Sequence, residues 1–193
     1  MTADLVVGPD GRARCRWGAS TPDYQAYHDD EWGKQVRDDD ALYERLTLEA
    51  FQSGLSWLTI LRKRPAFRAA FDGFQIEKVA SYGEAERERL LADSGIVRNR
   101  AKIDAAIQNA RAALALPDGL AALLWSFAPP PRARPASFAD VPPVTPESKA
   151  MAKELKRLGF RFVGPTTAYA LMQATGMVDD HLAGCHVLAE PAL

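Results

Sequence analysis

The two cysteines of this chain stand near its opposite ends, and each has a histidine within reach: Cys15 with His28, and His181 with Cys185. No other feature restricts the fold so strongly. If the four side chains meet, the first and last elements of a 193-residue chain must meet as well. His181 and Cys185 are four positions apart, a spacing that puts both on one helical face or around one tight turn. Together the pairs make a Cys2His2 set, which is a closed tetrahedral site with no open position and therefore structural rather than catalytic. Such a site ties the ends together and limits the unfolded chain. The N-terminal pair lacks the tight spacing of a zinc finger, and cysteines also serve as small buried hydrophobes, so spacing alone leaves both readings open. With so few cysteines, free or metal-bound thiols are expected rather than a disulfide. His186 is left over and is expected at the surface.

Between these ends the apolar residues repeat with helical period. Ile103, Ala106, Ile107, Ala110 and Leu114 form one stripe, and Leu42 and Leu46 another behind the acids Asp38 to Asp40. Thr21-Pro22 and Thr145-Pro146 read as an N-cap followed by proline in the first helical position. Gly159 and Gly176 read as C-terminal stops. No strand alternation and no internal repeat stand out, so the expected class is all-α. Hydrophobic residues make up 47% and charged residues 25%, the mixture of a globular domain able to bury a core. The net charge of −1 excludes an overall basic field, so any nucleic-acid contact must be local. No apolar run is long enough to span a membrane, and no secretory h-region opens the chain, so a cytoplasmic protein is expected. Residues 128–146 carry seven prolines and read either as a flexible linker or as a functional loop between helical parts.

Candidate chemistry gathers in two places. Trp17, Tyr24, Tyr27, Trp32 and Trp57 concentrate large rings with polar tips near the N-terminus, able to stack a flat base or to serve as plain core. Glu49 falls on the apolar face of its helix, where a carboxylate is costly without a partner or a task. After Gln52, the turn Ser53-Gly54-Leu55-Ser56 offers Leu55 as a wedge into a base stack or as a cap on the core. The second place is a helix over 147–158 ending in Lys153, Lys156 and Arg157. It is followed by a turn bounded by Gly159 and Gly164, and a helix opened by Pro165. Backbone N–H groups aimed outward from such a turn bind phosphate without reading sequence. An ordinary hairpin with a solvated basic face is the plainer reading.

Seven blocks, RCRW, YQAYHDDEWG, LEAFQSGLSW, GIVRNRAKI, LWSF, LKRLGFRFVGPT and VDDHLAGC, occur in one order from about Arg14 to Cys185. In these blocks the chain resembles the bacterial 3-methyladenine DNA glycosylase I family of the helix-hairpin-helix superfamily. The resemblance implies one structural zinc ion held by Cys15, His28, His181 and Cys185, and no organic cofactor. It implies Glu49 as the pocket carboxylate, with Trp17, Tyr27 and Trp57 around the extruded base and Tyr24 and Trp32 nearby. Gln52, Gly54, Leu55 and Ser56 match the segment that probes the duplex; Arg161, Phe162, Val163, Gly164 and Thr166 match the backbone-binding hairpin. Of the two glycines common in such hairpins only Gly164 is present, with Phe162 at the other's position. Asp179 falls where related glycosylases carry a catalytic aspartate and this family often has asparagine, so it is expected either to assist catalysis or to support the ligand His181.

The implied function is hydrolytic removal of 3-methyladenine from alkylated double-stranded DNA, leaving an abasic site. The hairpin turn has no lysine to act as a lyase nucleophile, which points to water. One helical domain over 14–193 is expected, with its helix-hairpin-helix at about 147–176, after an extension of residues 1–13 to which no role is assigned. A monomer with no obligate protein partner and no membrane contact is expected. Two other classes compete: a non-catalytic zinc-stabilised module for damaged or distorted DNA, and a helical protein-interaction domain with a structural zinc.

Overall fold

The computed structural model describes residues 4–188. Among them are two short strands, β1 (Leu5–Val7) and β2 (Ala13–Cys15), and nine α-helices. These are α1 (Pro22–Asp30), α2 (Asp39–Gln52), α3 (Trp57–Ala70), α4 (Ile76–Ala80), α5 (Glu84–Ala92), α6 (Arg100–Leu114), α7 (Gly119–Trp125), α8 (Pro146–Arg157) and α9 (Pro165–Ala174). The fold is thus mostly helical. No helix among the described residues is long and apolar enough to cross a membrane.

Local chemistry sets most helix starts. The side chains of Thr21, Asp38, Ser56, Asn99 and Thr145 each accept a hydrogen bond from a first-turn backbone N–H. Proline opens α1, α8 and α9, where its missing N–H costs nothing. Gly159 and Gly176, at φ +93° and +72°, follow the C-caps of α8 and α9 in the left-handed conformation that ends a helix.

The core forms around α2, which packs against α3, α6, α7 and α9. Leu42, Tyr43, Leu46, Leu48 and Phe51 of this helix are all buried. Phe51, Phe67, Phe71 and Phe74 continue the core as a run of ring contacts with centroids 4.8 to 6.1 Å apart. The stripe on α6 is buried at Ile103, Ala106, Ile107 and Ala110, but Leu114 is exposed because it is the helix's last residue and has passed the edge of the core.

The strands correct the expectation of no β-structure. β1 and β2 pair antiparallel, with Leu5 opposite Cys15, around a Gly8-Pro9-Asp10-Gly11 turn in which Gly11 takes φ +75°. Three-residue strands are too short for alternation to register, although the turn residues were a legible signal. The hairpin also gives residues 5–13 a structural place: it leads directly into Cys15. The proline-rich stretch contains one turn of 3-10 helix (Phe138–Asp140) and is fastened at several points. Arg132 pairs with Asp180 at 2.6 Å, Arg134 with Asp179 at 2.7 Å, and the N–H of Ala183 donates to the carbonyl of Pro135 at 2.8 Å. These contacts are those of an ordered loop rather than a free linker.

Candidate active site

Cys15 ends β2, His28 lies in the last turn of α1, and His181 and Cys185 follow α9. The fold brings all four together, buried, with ligand atoms within 4.8 Å of one another. Cys185 Sγ lies 3.5 Å from His28 Nε2 and 3.6 Å from His181 Nδ1. A tetrahedral ion with ordinary Zn–S and Zn–N bonds requires an S···N edge of about 3.5 Å, so the donor set fits zinc in spacing as in chemistry. The outward ring nitrogens are engaged as well. His28 Nδ1 donates to Asp29 at 2.7 Å, and His181 Nε2 donates to the carbonyl of Trp32 at 3.0 Å. Each imidazole therefore turns its lone pair toward the other ligands. Burial pushes the Asp29 carboxyl up, but bonds from Arg14, His28 and His186 more than offset this and hold it at about 2. His186 is accordingly not a plain surface residue. It is half-buried on Asp29, because its N–H donates to the carbonyl of Ala13 and draws the chain back along β2.

Against this cluster stands a cleft of about 320 Å³. Trp17 enters from the 3-10 turn after β2, Tyr24 and Tyr27 from α1, Trp32 from just beyond it, Glu49 and Gln52 from α2, and Trp57 from α3. The rings brace one another: Trp17 meets Tyr24 at 5.5 Å and Trp32 at 5.0 Å, and Tyr27 meets Trp57 at 5.4 Å. Trp17 also packs on His28, and Trp32 on His181, so the Cys and His cluster fixes the aromatic wall. Gly18 makes this possible, since a Cβ there would overlap the His28 ring.

Glu49 is 7% exposed, and no hydrogen bond reaches its carboxyl among the described residues. Burial pushes its pKa up to about 8, with Arg45 opposing. It is therefore mostly protonated at neutral pH. Burial, reinforced by Glu49, likewise pushes the Tyr27 hydroxyl well above its usual range, so it remains a donor. Trp57 Nε1 is buried without a partner among the described residues. The cleft thus keeps a flat apolar surface and polar groups with unused capacity, the setting for an aromatic heterocycle.

Sequence reasoning missed the rest of the cleft. Phe138 and Val141 come from the proline-rich loop, Ala170 and Gln173 from α9, and Asp180 from the residue before His181. Asp180 accepts from Arg132 at 2.6 Å, Tyr169 at 2.7 Å and Gln173 at 2.9 Å. Only its adjacency to His181 could have singled it out. Asp179 is not among the lining residues; its carboxylate accepts from Arg134 and from the His181 N–H at 3.2 Å. Beyond α2, Gly54 turns at φ +82° and leaves Leu55 42% exposed, while Ser56 caps α3. In the turn between α8 and α9, Arg161 and Phe162 are exposed, Val163 is buried and Gly164 is the N-cap of α9, whose second residue, Thr166, is also exposed.

A helical frame around an aromatic cleft with an inward carboxyl has the outline of a helical DNA glycosylase. The family model described as methyladenine glycosylase matches residues 17–188, and the chain belongs to that family. It is 44% identical over 177 residues to DNA-3-methyladenine glycosylase 1 of Escherichia coli (strain K12), covering 89% of this chain and 95% of that one. The DNA-3-methyladenine glycosylase of Haemophilus influenzae is 41% identical over 177 residues, covering 89% and 96%. Among solved structures, a single-residue variant of 3-methyladenine DNA glycosylase I in complex with 3-methyladenine superposes with a TM-score of 0.86. It is 34% identical, with 90% of this chain and 96% of that one covered.

Proposed function

We propose that this protein is a monofunctional glycosylase that extrudes 3-methyladenine from alkylated double-stranded DNA and hydrolyses its N-glycosidic bond, leaving an abasic site. The observation that carries this reading is Glu49, a carboxyl buried in the wall of an aromatic cleft with no hydrogen-bond partner among the described residues. Adenine methylated at N3 carries positive charge and is already a good leaving group, so selective binding of the extruded cation supplies much of the catalysis. Trp17, Tyr27 and Trp57 would stack on it, with Tyr24 and Trp32 bracing them. A cation entering beside Glu49 favours the carboxylate, so binding expels the proton and leaves an acceptor for the base. Water is the nucleophile, since the hairpin turn offers no lysine.

Gln52, Gly54, Leu55 and Ser56 would enter the gap left by the base, and the turn from Arg161 to Gly164, with Thr166, would hold the DNA backbone. Asp179 is assigned a supporting role: its bond to the His181 N–H and its pairing with Arg134 use its carboxylate outside the cleft. One zinc ion held by Cys15, His28, His181 and Cys185 would keep the aromatic wall in place and take no part in bond cleavage. We read residues 14–193 as one domain that the N-terminal hairpin joins at Cys15. We also read the protein as cytoplasmic and, since a single damaged base is an asymmetric target, as a monomer.

The test is chromatography of bases released from dimethyl-sulfate-treated DNA, with Glu49→Gln alongside. Selective release of 3-methyladenine by the wild type, lost in the variant, is expected. No release by the folded, zinc-replete protein would leave a module that binds damaged DNA without acting on it.

A further inference from the structure

The two turns assigned to DNA are far apart in sequence, yet one helix grips both. Lys102, near the start of α6, is 8% exposed and donates through Nζ to the carbonyls of Phe51 at 2.8 Å and Ser53 at 2.6 Å. Those carbonyls close the C-terminal end of α2 and flank Gln52, immediately before Gly54 and Leu55. Seven residues further along α6, Asn109 is 1% exposed and pairs with both backbone groups of Arg161. Its Nδ2 donates to the Arg161 carbonyl at 3.0 Å, and its Oδ1 accepts from the Arg161 N–H at 2.7 Å.

A separation of seven residues puts Lys102 and Asn109 on nearly the same side of α6, about 10.5 Å apart along the axis. Each grip sits next to an outward apolar side chain, Leu55 at 42% exposure and Phe162 at 45%. Phe162 takes φ +57°, a conformation that a residue with a side chain keeps only when its surroundings hold it. α6 cannot slide between them, because Ile103, Ala106, Ile107 and Ala110 are packed in the core.

We propose that α6 is a fixed spacer setting the separation between the probing turn and the backbone-binding hairpin, with Lys102 and Asn109 as positioning residues for DNA engagement. This rests on the glycosylase reading above. Neither residue lines the cleft, so neither acts on the base itself.

The test compares Lys102→Met and Asn109→Leu with wild type in binding of free 3-methyladenine and in kcat and KM on methylated duplex DNA at several salt concentrations. Free-base affinity should stay within about twofold of wild type, because neither side chain lines the cleft and, of its lining residues, only Gln52 adjoins a gripped carbonyl. Asn109→Leu should raise KM for duplex about tenfold and make its salt dependence shallower, as backbone contacts are lost. Lys102→Met should instead lower kcat about tenfold with little change in KM, because the turn no longer holds the extruded state. If Asn109→Leu does not fold, Asn109→Asp keeps the acceptor for the Arg161 N–H, sets a charge against its carbonyl, and should give the same pattern more weakly. Unchanged duplex kinetics in both variants overturn the proposal. So does loss of free-base binding by the same factor as duplex activity, the result for residues that only stabilise the core. A wild type that releases no base and binds no free base would instead overturn the glycosylase reading.

Discussion

The Cys and His cluster and the aromatic cleft share a wall but differ in how their polar atoms are satisfied. In the cluster nothing is left over: each imidazole has a partner on its outer nitrogen, and the N–H of Leu182 donates to Cys15 Sγ at 3.4 Å. In the cleft the Glu49 carboxyl and Trp57 Nε1 have no hydrogen-bond partner among the described residues. Closing a site rigidifies it, whereas leaving buried polar groups unmet costs stability unless a ligand uses them. On the proposed function, the first region is support and the second is where the base binds.

The hardest test of this contrast removes the support. Cys185→Ala should destabilise the fold by several kcal/mol, release bound zinc and alter tryptophan fluorescence, because Trp17 and Trp32 lean on His28 and His181. An unchanged unfolding midpoint with no metal in the wild type would mean that the cluster is ordinary core. Gly18→Ala should cost roughly 1–3 kcal/mol in thermal unfolding, since its methyl group meets the His28 ring.

The cleft should behave in the opposite way. Glu49 binds its proton more tightly in the folded state, with a pKa of about 8 against an ordinary 4.5. Its contribution to stability is therefore full below about 4.5 and is lost as pH rises through about 8. Glu49→Gln should match the wild type near pH 5 and exceed it by on the order of a few kcal/mol near pH 9, while losing base release at both. Equal pH dependence of the two unfolding midpoints would contradict an unpaired, buried acid. In the wild type, kcat/KM should rise toward that same pH if the carboxylate is the form that meets the base. The smallest effect belongs to Trp57→Phe. It keeps a ring but removes the waiting N–H, and should weaken free 3-methyladenine binding only a few-fold by titration.

What the sequence made legible divides along similar lines. The caps at Thr21 and Thr145 and the stops at Gly159 and Gly176 act on their own neighbours, so they could be read directly. So could the inward position of Glu49, because helical period alone places it. The partnership of Cys15 with Cys185 lies outside any local pattern, and spacing left it open until the family resemblance supplied it. Phe138, Val141 and Asp180 were illegible for a related reason: the proline-rich loop is held at the cleft by bonds from Arg132 to Asp180, Arg134 to Asp179 and Ala183 to Pro135, each spanning more than forty residues. The strands β1 and β2 were missed because three residues carry no period, and His186 because its partner, Asp29, is 157 residues distant.

The junction of Trp32 with His181 also has a consequence for the order in which the protein becomes active. During synthesis the residues that would stack the base emerge well before the histidine that steadies them, which lies 149 positions after Trp32. A nascent chain halted before His181 carries the tryptophans and Glu49 without the backing that aligns them. A chain cut short before His181 is therefore expected to bind the base poorly, because its tryptophans lack the contact that aligns them.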